Sequence, residues 1–244
     1  MSRFAVVVLA AGKSSRFADP HHKKPFAMLA GRAVWMHSVE RFASRADVCQ
    51  TILVVAAEDR EEFARKYGAN VAFMGIEVVE GGAERADSVA AAVARLRDDA
   101  THVAIHDAAR PLVTDAEVDR VFAAAVAHHA AILAAPVTAT LKRVAGARVA
   151  STESRDGLWA AQTPQVFEAG LYRRGLAEAA GVAVTDDAQL IERLGEAVAV
   201  VEGSPQNLKI TSRDDLALAE AILAARPRPK PPGANPFADD DLWR

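Results

Sequence analysis

The sequence predicts an α/β, Rossmann-like fold in which a mostly parallel sheet is flanked by helices. Short apolar runs rich in β-branched residues alternate with alanine-rich segments of helical periodicity along most of the 244 residues. Repeated strand–helix units of this kind build parallel sheets through right-handed crossovers. Several of the runs are also nearly continuous in apolar residues, as expected for strands that are covered on both faces.

The individual elements follow from local patterns. The predicted strands span residues 4–10, 51–57, 76–81, 102–107 and 131–136. The predicted helices span about 33–44, 59–67, 87–97, 116–129 and 213–225. Two helix starts are marked, because Thr114 and Glu117 have the spacing of a capping box and Ser212 opens the run SRDD.

Residues 137 to about 160 depart from the strand–helix alternation. Polar and apolar residues alternate there, with Gly146 near the middle of the segment, and this pattern predicts an extended β-hairpin arm. An arm that leaves the sheet must bury its apolar side elsewhere, so we expect it to serve dimerisation. We predict one domain over residues 1–225 that includes this arm, and a flexible tail rich in Pro and Asp over residues 226–244.

Composition excludes several classes of protein. The formal net charge of −3 lacks the basic excess of a nucleic-acid binder. No apolar stretch reaches the ~18 residues that cross a bilayer, and the single cysteine, Cys49, fits a reducing compartment. We therefore expect a soluble, cytoplasmic protein that binds neither nucleic acid nor membrane, and in which local positive charge must meet any anionic ligand.

The end of the first strand is a candidate phosphate site. Ala10, Ala11 and Gly12 follow that strand, and ligands of parallel sheets gather beyond the carboxyl ends of strands. Such small residues let phosphate oxygens approach backbone N–H groups closely. Lys13 and Arg16 follow and supply positive charge, and the pair Lys23 and Lys24 adds to it shortly afterwards. The alternatives are an ordinary strand-to-loop turn and a solvated pair of lysines.

A second glycine-containing turn lies in the run EGGAERADSV. Gly81 and Gly82 would let a flat base lie against the backbone, and Ser88 could form a hydrogen bond with that base. The alternative interpretation is a flexible turn that precedes a capped helix.

Asp107 is the sharpest candidate for chemistry, because it closes the buried strand 102–107. A carboxylate there can hold magnesium, directly or through water, or accept a hydrogen bond from a sugar hydroxyl. A structural salt bridge with Arg110 is the alternative, and His106 is expected to be a packing residue. Other polar residues beside short apolar runs could line a second, anionic pocket: Arg155, Thr163, Thr185 and Lys209.

Taken together and in this order, the motifs closely resemble those of the 2-C-methyl-D-erythritol 4-phosphate cytidylyltransferase family. They are LAAGKSSRF, KKPF, GGAERADSV, HDAARP, GLWAAQTPQ, VTDDA and NLKIT, and the resemblance covers about residues 3–225. It implies that CMP passes from CTP to 2-C-methyl-D-erythritol 4-phosphate with release of pyrophosphate, a step of non-mevalonate isoprenoid precursor synthesis. It also implies magnesium as the cofactor and a homodimer that forms through the arm.

The same resemblance implies a role for each site residue. The residues that would cradle CTP are Ala10, Ala11 and Gly12 at the triphosphate and Gly82 and Ser88 at cytosine. The residues with catalytic roles would be Arg16 and Lys24, which stabilise the transition state, and Arg155 and Lys209, which orient the attacking phosphate. The residues that would bind the polyol phosphate are Asp107, Arg110, Thr140, Thr163 and Thr185, with Asp107 also the candidate magnesium ligand. A swapped arm would make Thr140 and Arg155 serve the neighbouring subunit.

Two other functions compete with this interpretation. A ribitol 5-phosphate cytidylyltransferase shares most of these motifs, and the residues around 140, 155 and 185 would decide between the two substrates. A catalytically silent, nucleotide-binding regulatory subunit is the second alternative. The retention of a full set of basic residues for both pockets argues against it.

Overall fold

The structure, a computed structural model, describes residues 2–12, 26–179 and 184–226. The strands are β1 (Phe4–Leu9), β2 (Met28–Leu29), β3 (Arg32–Ala33), β4 (Val48–Ala56), β5 (Glu77–Gly81), β6 (His102–Asp107), β7 (Ala130–Pro136), β8 (Leu141–Ala145), β9 (Arg148–Glu153), β10 (Trp159–Glu168) and β11 (Ala199–Glu202). The helices are α1 (Val34–Ala43), α2 (Arg60–Phe73), α3 (Arg85–Val93), α4 (Asp115–His128), α5 (Ala169–Glu178), α6 (Ala188–Arg193) and α7 (Arg213–Ala225).

A seven-stranded sheet with the order β11-β7-β10-β6-β1-β4-β5 forms the centre of the protein. Neighbouring strands run parallel except for β10, which is antiparallel to both β6 and β7. From β1 the chain builds outward to β4 and β5 on one side and begins the other side at β6, so the strand order reverses between β1 and β6. A crevice for ligands opens beyond the strands at such a point. The prediction of a mostly parallel α/β sheet is confirmed.

Both faces of the sheet are covered by helices. Val6 and Val8 of β1 pack in one apolar cluster with Phe42 of α1, whereas Val7 packs in the opposite cluster with Val89 of α3. Successive side chains of a strand point to opposite faces. Burial on both faces therefore explains why β1 is almost continuously apolar in sequence.

Most predicted elements are present with shifted ends. The strand at 102–107 and the helix at 213–225 have the predicted bounds, whereas α2 continues past residue 67 to Phe73. The capping boxes at Thr114 and Ser212 both form, and in each the side-chain oxygen accepts the backbone N–H three residues later. The local signals for helix starts were therefore reliable.

Strand β10 was not predicted, although it lies inside the main sheet between β6 and β7. The buried part of the strand contains three polar side chains, those of Gln162, Thr163 and Gln165. These residues made the segment resemble a polar loop. Their partners belong to other elements and are described with the candidate site.

The predicted hairpin arm is present as β8 and β9, which pair with each other in a sheet of their own. Gly146 lies in the turn between them with a φ of +60°, a left-handed conformation that favours glycine. Val144 and Val149 of the arm are 58% and 64% exposed. The chain rejoins the main sheet at Trp159, close to the predicted end of the arm at about residue 160. Dimerisation through the arm stays a prediction.

Within the described part of the chain, no helix is both long enough and apolar enough to cross a membrane. The predicted flexible tail lies outside the described residues from residue 227 onward.

Candidate active site

The ends of β1 and β6 bring two predicted site regions to one edge of the sheet. Leu9, the last residue of β1, stands opposite Asp107, the last residue of β6, in the parallel register. The small residues Ala10 to Gly12 follow directly, and the Ala10 N–H donates to the carbonyl of Val54 at 2.8 Å. The turn of small residues thus lies at the switch point, beside the end of β6 that carries Asp107.

Residues 81–88 pack against this turn, and they are called the nucleotide loop because they contain the predicted CTP-binding residues Gly82 and Ser88. A Cβ atom built on Gly81 would stand only 2.7 Å from the Cβ of Ala11 and 2.8 Å from the Oγ of Ser88. Ser88 is buried, and its Oγ accepts the Gly82 N–H at 3.1 Å and donates to the Glu84 carbonyl at 3.2 Å. The structure therefore joins the predicted CTP-binding residues Ala11, Gly82 and Ser88, and the Ser88 hydroxyl shapes the loop.

A charged cluster surrounds Asp107. The Asp107 Oδ2 lies 2.9 Å from the Nζ of Lys209 and 3.6 Å from the Nε of Arg110. Burial raises the pKa of Asp107, but the positive charges of Lys209, Arg85 and Arg110 lower it by a larger amount. The pKa of Asp107 therefore lies below its ordinary value. The carboxylate is therefore ionised near neutral pH. The predicted salt bridge with Arg110 and the predicted second pocket at Lys209 are parts of one cluster.

Backbone carbonyls hold the Arg110 side chain of this cluster in place. The Arg110 guanidinium donates to the carbonyls of Asn207 at 2.8 Å and Ala161 at 3.3 Å. Asn207 is fully buried, and its side-chain amide donates to the Thr163 carbonyl at 3.0 Å. The segment that carries Lys209 is thereby fixed against β10. The Lys209 side chain itself remains 44% exposed at the crevice.

His106 and Thr163 support Asp107 from inside the protein. The Thr163 Oγ1 accepts the Asp107 N–H at 3.0 Å and lies 3.0 Å from the His106 Nδ1, while the His106 Nε2 lies 3.1 Å from the Arg110 carbonyl. A carbonyl can only accept, so Nε2 carries the proton and Nδ1 accepts from Thr163. Burial lowers the pKa of His106 to about 4. His106 is thus the neutral packing residue expected, and the Thr163 hydroxyl is engaged within the protein.

Residues 184–188 contain the predicted substrate-binding residue Thr185 and are called the polyol phosphate loop after that prediction. Thr185 is exposed, and its backbone N–H donates to the Gln189 side chain at 3.1 Å. Two residues later, Asp187 is buried and bonds to Arg85 and Tyr172. Sequence reasoning missed Arg85 and Asp187 as partners. The only signals were a second acidic residue in VTDDA and an arginine in GGAER.

Thr140 and Arg155 lie at the base of the arm and are exposed. Arg155 donates a hydrogen bond to the Thr138 carbonyl within the arm. Among the described residues, no hydrogen bond or ion pair joins either of them to Asp107 or Lys209. One chain alone therefore does not bring the arm residues into the charged cluster. Arg16 and Lys24 lie outside the described residues.

Asp107 is also the candidate magnesium ligand. In the described ranges, His, Cys, Asp and Glu side chains form no group of three or more that could hold a metal ion. Magnesium in phosphate chemistry is commonly bound by one or two carboxylates, with substrate phosphates and water as the other ligands. An ionised carboxylate beside a candidate phosphate turn fits that mode of binding.

Comparison with known proteins decides the family. The family model of 2-C-methyl-D-erythritol 4-phosphate cytidylyltransferase (IspD) matches residues 4–225. The chain belongs to this family. The family member of that name from Rhodopirellula baltica is 44% identical over 230 residues, which cover 90% of this chain and 94% of the relative. The one from Halalkalibacterium halodurans is 41% identical over 231 residues, which cover 92% of this chain and 99% of the relative.

Solved structures of the family share the fold. The crystal structure of 2-C-methyl-D-erythritol 4-phosphate cytidylyltransferase from Thermus thermophilus superposes with a TM-score of 0.75 at 31% sequence identity. The match covers 89% of this chain and 98% of that one. The resemblance first drawn from the motifs is confirmed, and the chain is a cytidylyltransferase of the IspD family.

Proposed function

We propose that this protein transfers CMP from CTP to 2-C-methyl-D-erythritol 4-phosphate and releases pyrophosphate. Family membership supports this step of isoprenoid precursor synthesis. The observation that carries the proposal is the position of the Asp107, Arg110 and Lys209 cluster beside the turn of small residues after β1. Nucleotide and polyol phosphate can meet there in one crevice.

CTP would occupy the side of the crevice formed by β1 and β5. The backbone N–H groups of Ala10, Ala11 and Gly12 would receive the triphosphate, since small residues leave them accessible. The nucleotide loop, with Gly82 at its turn, would receive cytosine. Arg16 and Lys24 would add the positive charge that stabilises the phosphates in the transition state.

The polyol phosphate would enter beside Lys209 and the polyol phosphate loop. One of its phosphate oxygens attacks the α-phosphorus of CTP in line with the departing pyrophosphate, and the bond to the pyrophosphate oxygen breaks as the new P–O bond forms. No group of the protein needs to form a covalent bond, so catalysis rests on positioning and charge. Lys209, together with Arg155 from a swapped arm, would orient the attacking phosphate.

Asp107 would hold magnesium together with the phosphates of CTP. The bound ion would neutralise part of their negative charge. A homodimer through the arm is supported by the exposed apolar side chains of β8 and β9, among them Val144 and Val149. In that dimer Thr140 and Arg155 would reach the crevice of the partner. The single cysteine supports a cytoplasmic, reducing location.

A direct assay separates the candidate substrates. Purified protein, CTP and magnesium are mixed with either 2-C-methyl-D-erythritol 4-phosphate or ribitol 5-phosphate, and pyrophosphate release is followed. We expect the higher kcat/KM with the methylerythritol substrate. Faster turnover of ribitol 5-phosphate would replace the proposed substrate. Absence of pyrophosphate with both compounds would favour a regulatory subunit.

A further inference from the structure

One buried carboxylate connects two separate loops of the candidate site. Asp187 of the polyol phosphate loop is 2% exposed, and its Oδ2 lies 2.5 Å from the Nη2 of Arg85, the first residue of α3. Its Oδ1 accepts the hydroxyl of Tyr172 of α5 at 2.6 Å. Arg85 belongs to the nucleotide loop. A charged pair thus spans the two loops that the proposed function assigns to different substrates.

Arg85 stays charged over the working range of pH. Burial lowers the pKa of Arg85, but Asp187 and, more weakly, Asp107 outweigh burial, so its pKa is raised overall. Burial and the neighbouring Asp187 both raise the pKa of Tyr172, so its phenol keeps its proton and donates it to the carboxylate. A hydrogen-bonded ion pair with this geometry resists a shift of either loop.

The backbone on both sides of the pair is also fixed. The Gln165 Oε1 accepts the N–H groups of Asp187 at 3.0 Å and Ala188 at 2.9 Å. On the other side, the side chains of Glu84 and Asp87 form a reciprocal capping box around the start of α3. The Arg85–Asp187 pair therefore joins two segments that are each held in place, rather than two free loops.

We propose that Arg85 and Asp187 act as one unit that fixes the nucleotide loop against the polyol phosphate loop, which makes both of them positioning residues for cytidylyl transfer. This inference rests on the proposed function. In-line attack requires both substrates in one alignment, and a displacement of about 1 Å can cost roughly 100-fold in rate. A link between the two loops meets that requirement directly.

The position of Arg85 ties the pair to the charged cluster as well. After Lys209, Arg85 is the cation that most lowers the pKa of Asp107. A movement of Arg85 would therefore change the charge environment of Asp107 as well as the spacing of the loops. Breaking a pair that only stabilised the fold would lower the free energy of unfolding but would leave the KM values of the folded variants unchanged.

The test compares Asp187→Asn, Arg85→Met and the double variant with the wild type. For each protein, kcat and the KM values for CTP and 2-C-methyl-D-erythritol 4-phosphate are measured, and circular dichroism checks the fold. We expect each single variant to lose about 10- to 100-fold in kcat/KM for both substrates, since both loops lose their alignment. Because the pair acts as a unit, the double variant should lose no more than the worse single variant.

Two further variants act as controls. Asp47→Asn removes another arginine–aspartate pair, in which a guanidinium nitrogen of Arg45 lies 2.8 Å from a carboxylate oxygen of Asp47. This pair precedes β4 and so lies at the amino ends of the strands, away from the candidate site. The substitution should leave both KM values within about twofold, because such a partly exposed pair contributes little. Arg85→Lys keeps the charge, so it should retain more activity than Arg85→Met, and it provides the kinetic comparison if Asp187→Asn fails to fold.

Amide hydrogen exchange gives a readout that does not need catalysis. Asp187→Asn should raise exchange in residues 81–88, although the substitution lies in the other loop. Any one of three results would overturn the inference. They are unchanged exchange in residues 81–88, wild-type KM values in the folded single variants, and additive losses of activity in the double variant. If the wild-type protein releases no pyrophosphate while Asp187→Asn still raises exchange in residues 81–88, the proposed function is contradicted and the link between the loops remains.

Discussion

Lys209 and Asp107 form an ion pair of 2.9 Å at the carboxyl edge of the sheet, although they come from distant parts of the chain. Asp107 ends β6, and Lys209 lies in the segment between β11 and α7. The carboxylate is only 13% exposed, whereas the lysine is 44% exposed. The pair therefore anchors a cation at the crevice, and under the proposed function the exposed part of its side chain would contact the incoming phosphate.

Replacement of Lys209 should remove most activity without affecting the fold. The half-exposed side chain leaves no large cavity in Lys209→Ala, whereas the loss of one preorganised cation at a reacting phosphate costs about 100- to 1,000-fold in kcat. Pyrophosphate release and thermal unfolding measure the two effects. Lys66→Ala on α2 is the matched control and should retain wild-type turnover. Normal kcat in Lys209→Ala would remove Lys209 from the catalytic set.

A methyl group on Gly81 should weaken CTP binding. Its Cβ would stand 2.7 Å from the Cβ of Ala11. Gly81→Ala must therefore push the nucleotide loop away from the turn of small residues at Ala10 to Gly12. We expect KM for CTP to rise by about tenfold, which corresponds to roughly 1.4 kcal/mol of lost binding. Gly68→Ala in α2, where an added Cβ meets nothing within 4 Å, should leave KM unchanged. An unchanged KM in Gly81→Ala would show that the two segments need not touch.

Acid should destabilise the protein through His106. Its folded pKa is about 4 against an ordinary value of 6.5, so the unfolded chain binds the extra proton first as the pH falls. Stability is therefore lost between about pH 6.5 and pH 4, by on the order of 3 kcal/mol in total. The free energy of unfolding in urea at several pH values measures this slope. His106→Gln should flatten it, whereas His128→Gln, on the exposed face of α4, should not. A wild-type slope in His106→Gln would refute this assignment.

Mixed dimers should reveal whether the arm crosses between subunits. If it does, a dimer of one Arg155→Ala and one Lys24→Ala subunit contains one intact site, because each subunit supplies what the other lacks. Activity should then return when the two inactive variants are mixed. A mixture of Lys24→Ala with Lys209→Ala should stay inactive, since both residues would serve the site of their own subunit. No recovery in a verified heterodimer of the first kind would contradict the crossing arm.

The parts of the fold that local patterns describe were predictable. β6 and α7 have their predicted bounds, because an apolar run and the capping residues at Ser212 mark them. β10 was not predictable in this way, since Gln162 and Gln165 are satisfied only by partners distant in sequence, such as the carbonyl of Ser204 and the backbone of Asp187. No local pattern contains that information.

The candidate site was likewise predictable only where local patterns determine the positions of its residues. Asp107 and Ala10 to Gly12 could be placed from sequence, because the ends of parallel strands meet at one edge. The pairing of Lys209 with Asp107 and of Arg85 with Asp187 could not, since each pair depends on how distant loops fold over that edge. The charges were visible in the sequence, but their partners were not.

The proposed function requires one crevice, at the ends of β1 and β6, to hold both the nucleotide and the phosphorylated polyol. The sharpest test is a crystal structure with magnesium and the reaction product, in which cytidine diphosphate is linked to methylerythritol. We expect the diphosphate to lie between the backbone of Ala10 to Gly12 and the ammonium group of Lys209, with cytosine in the nucleotide loop. A diphosphate bound elsewhere, or a Lys209 side chain turned away from it, would rule out this shared crevice.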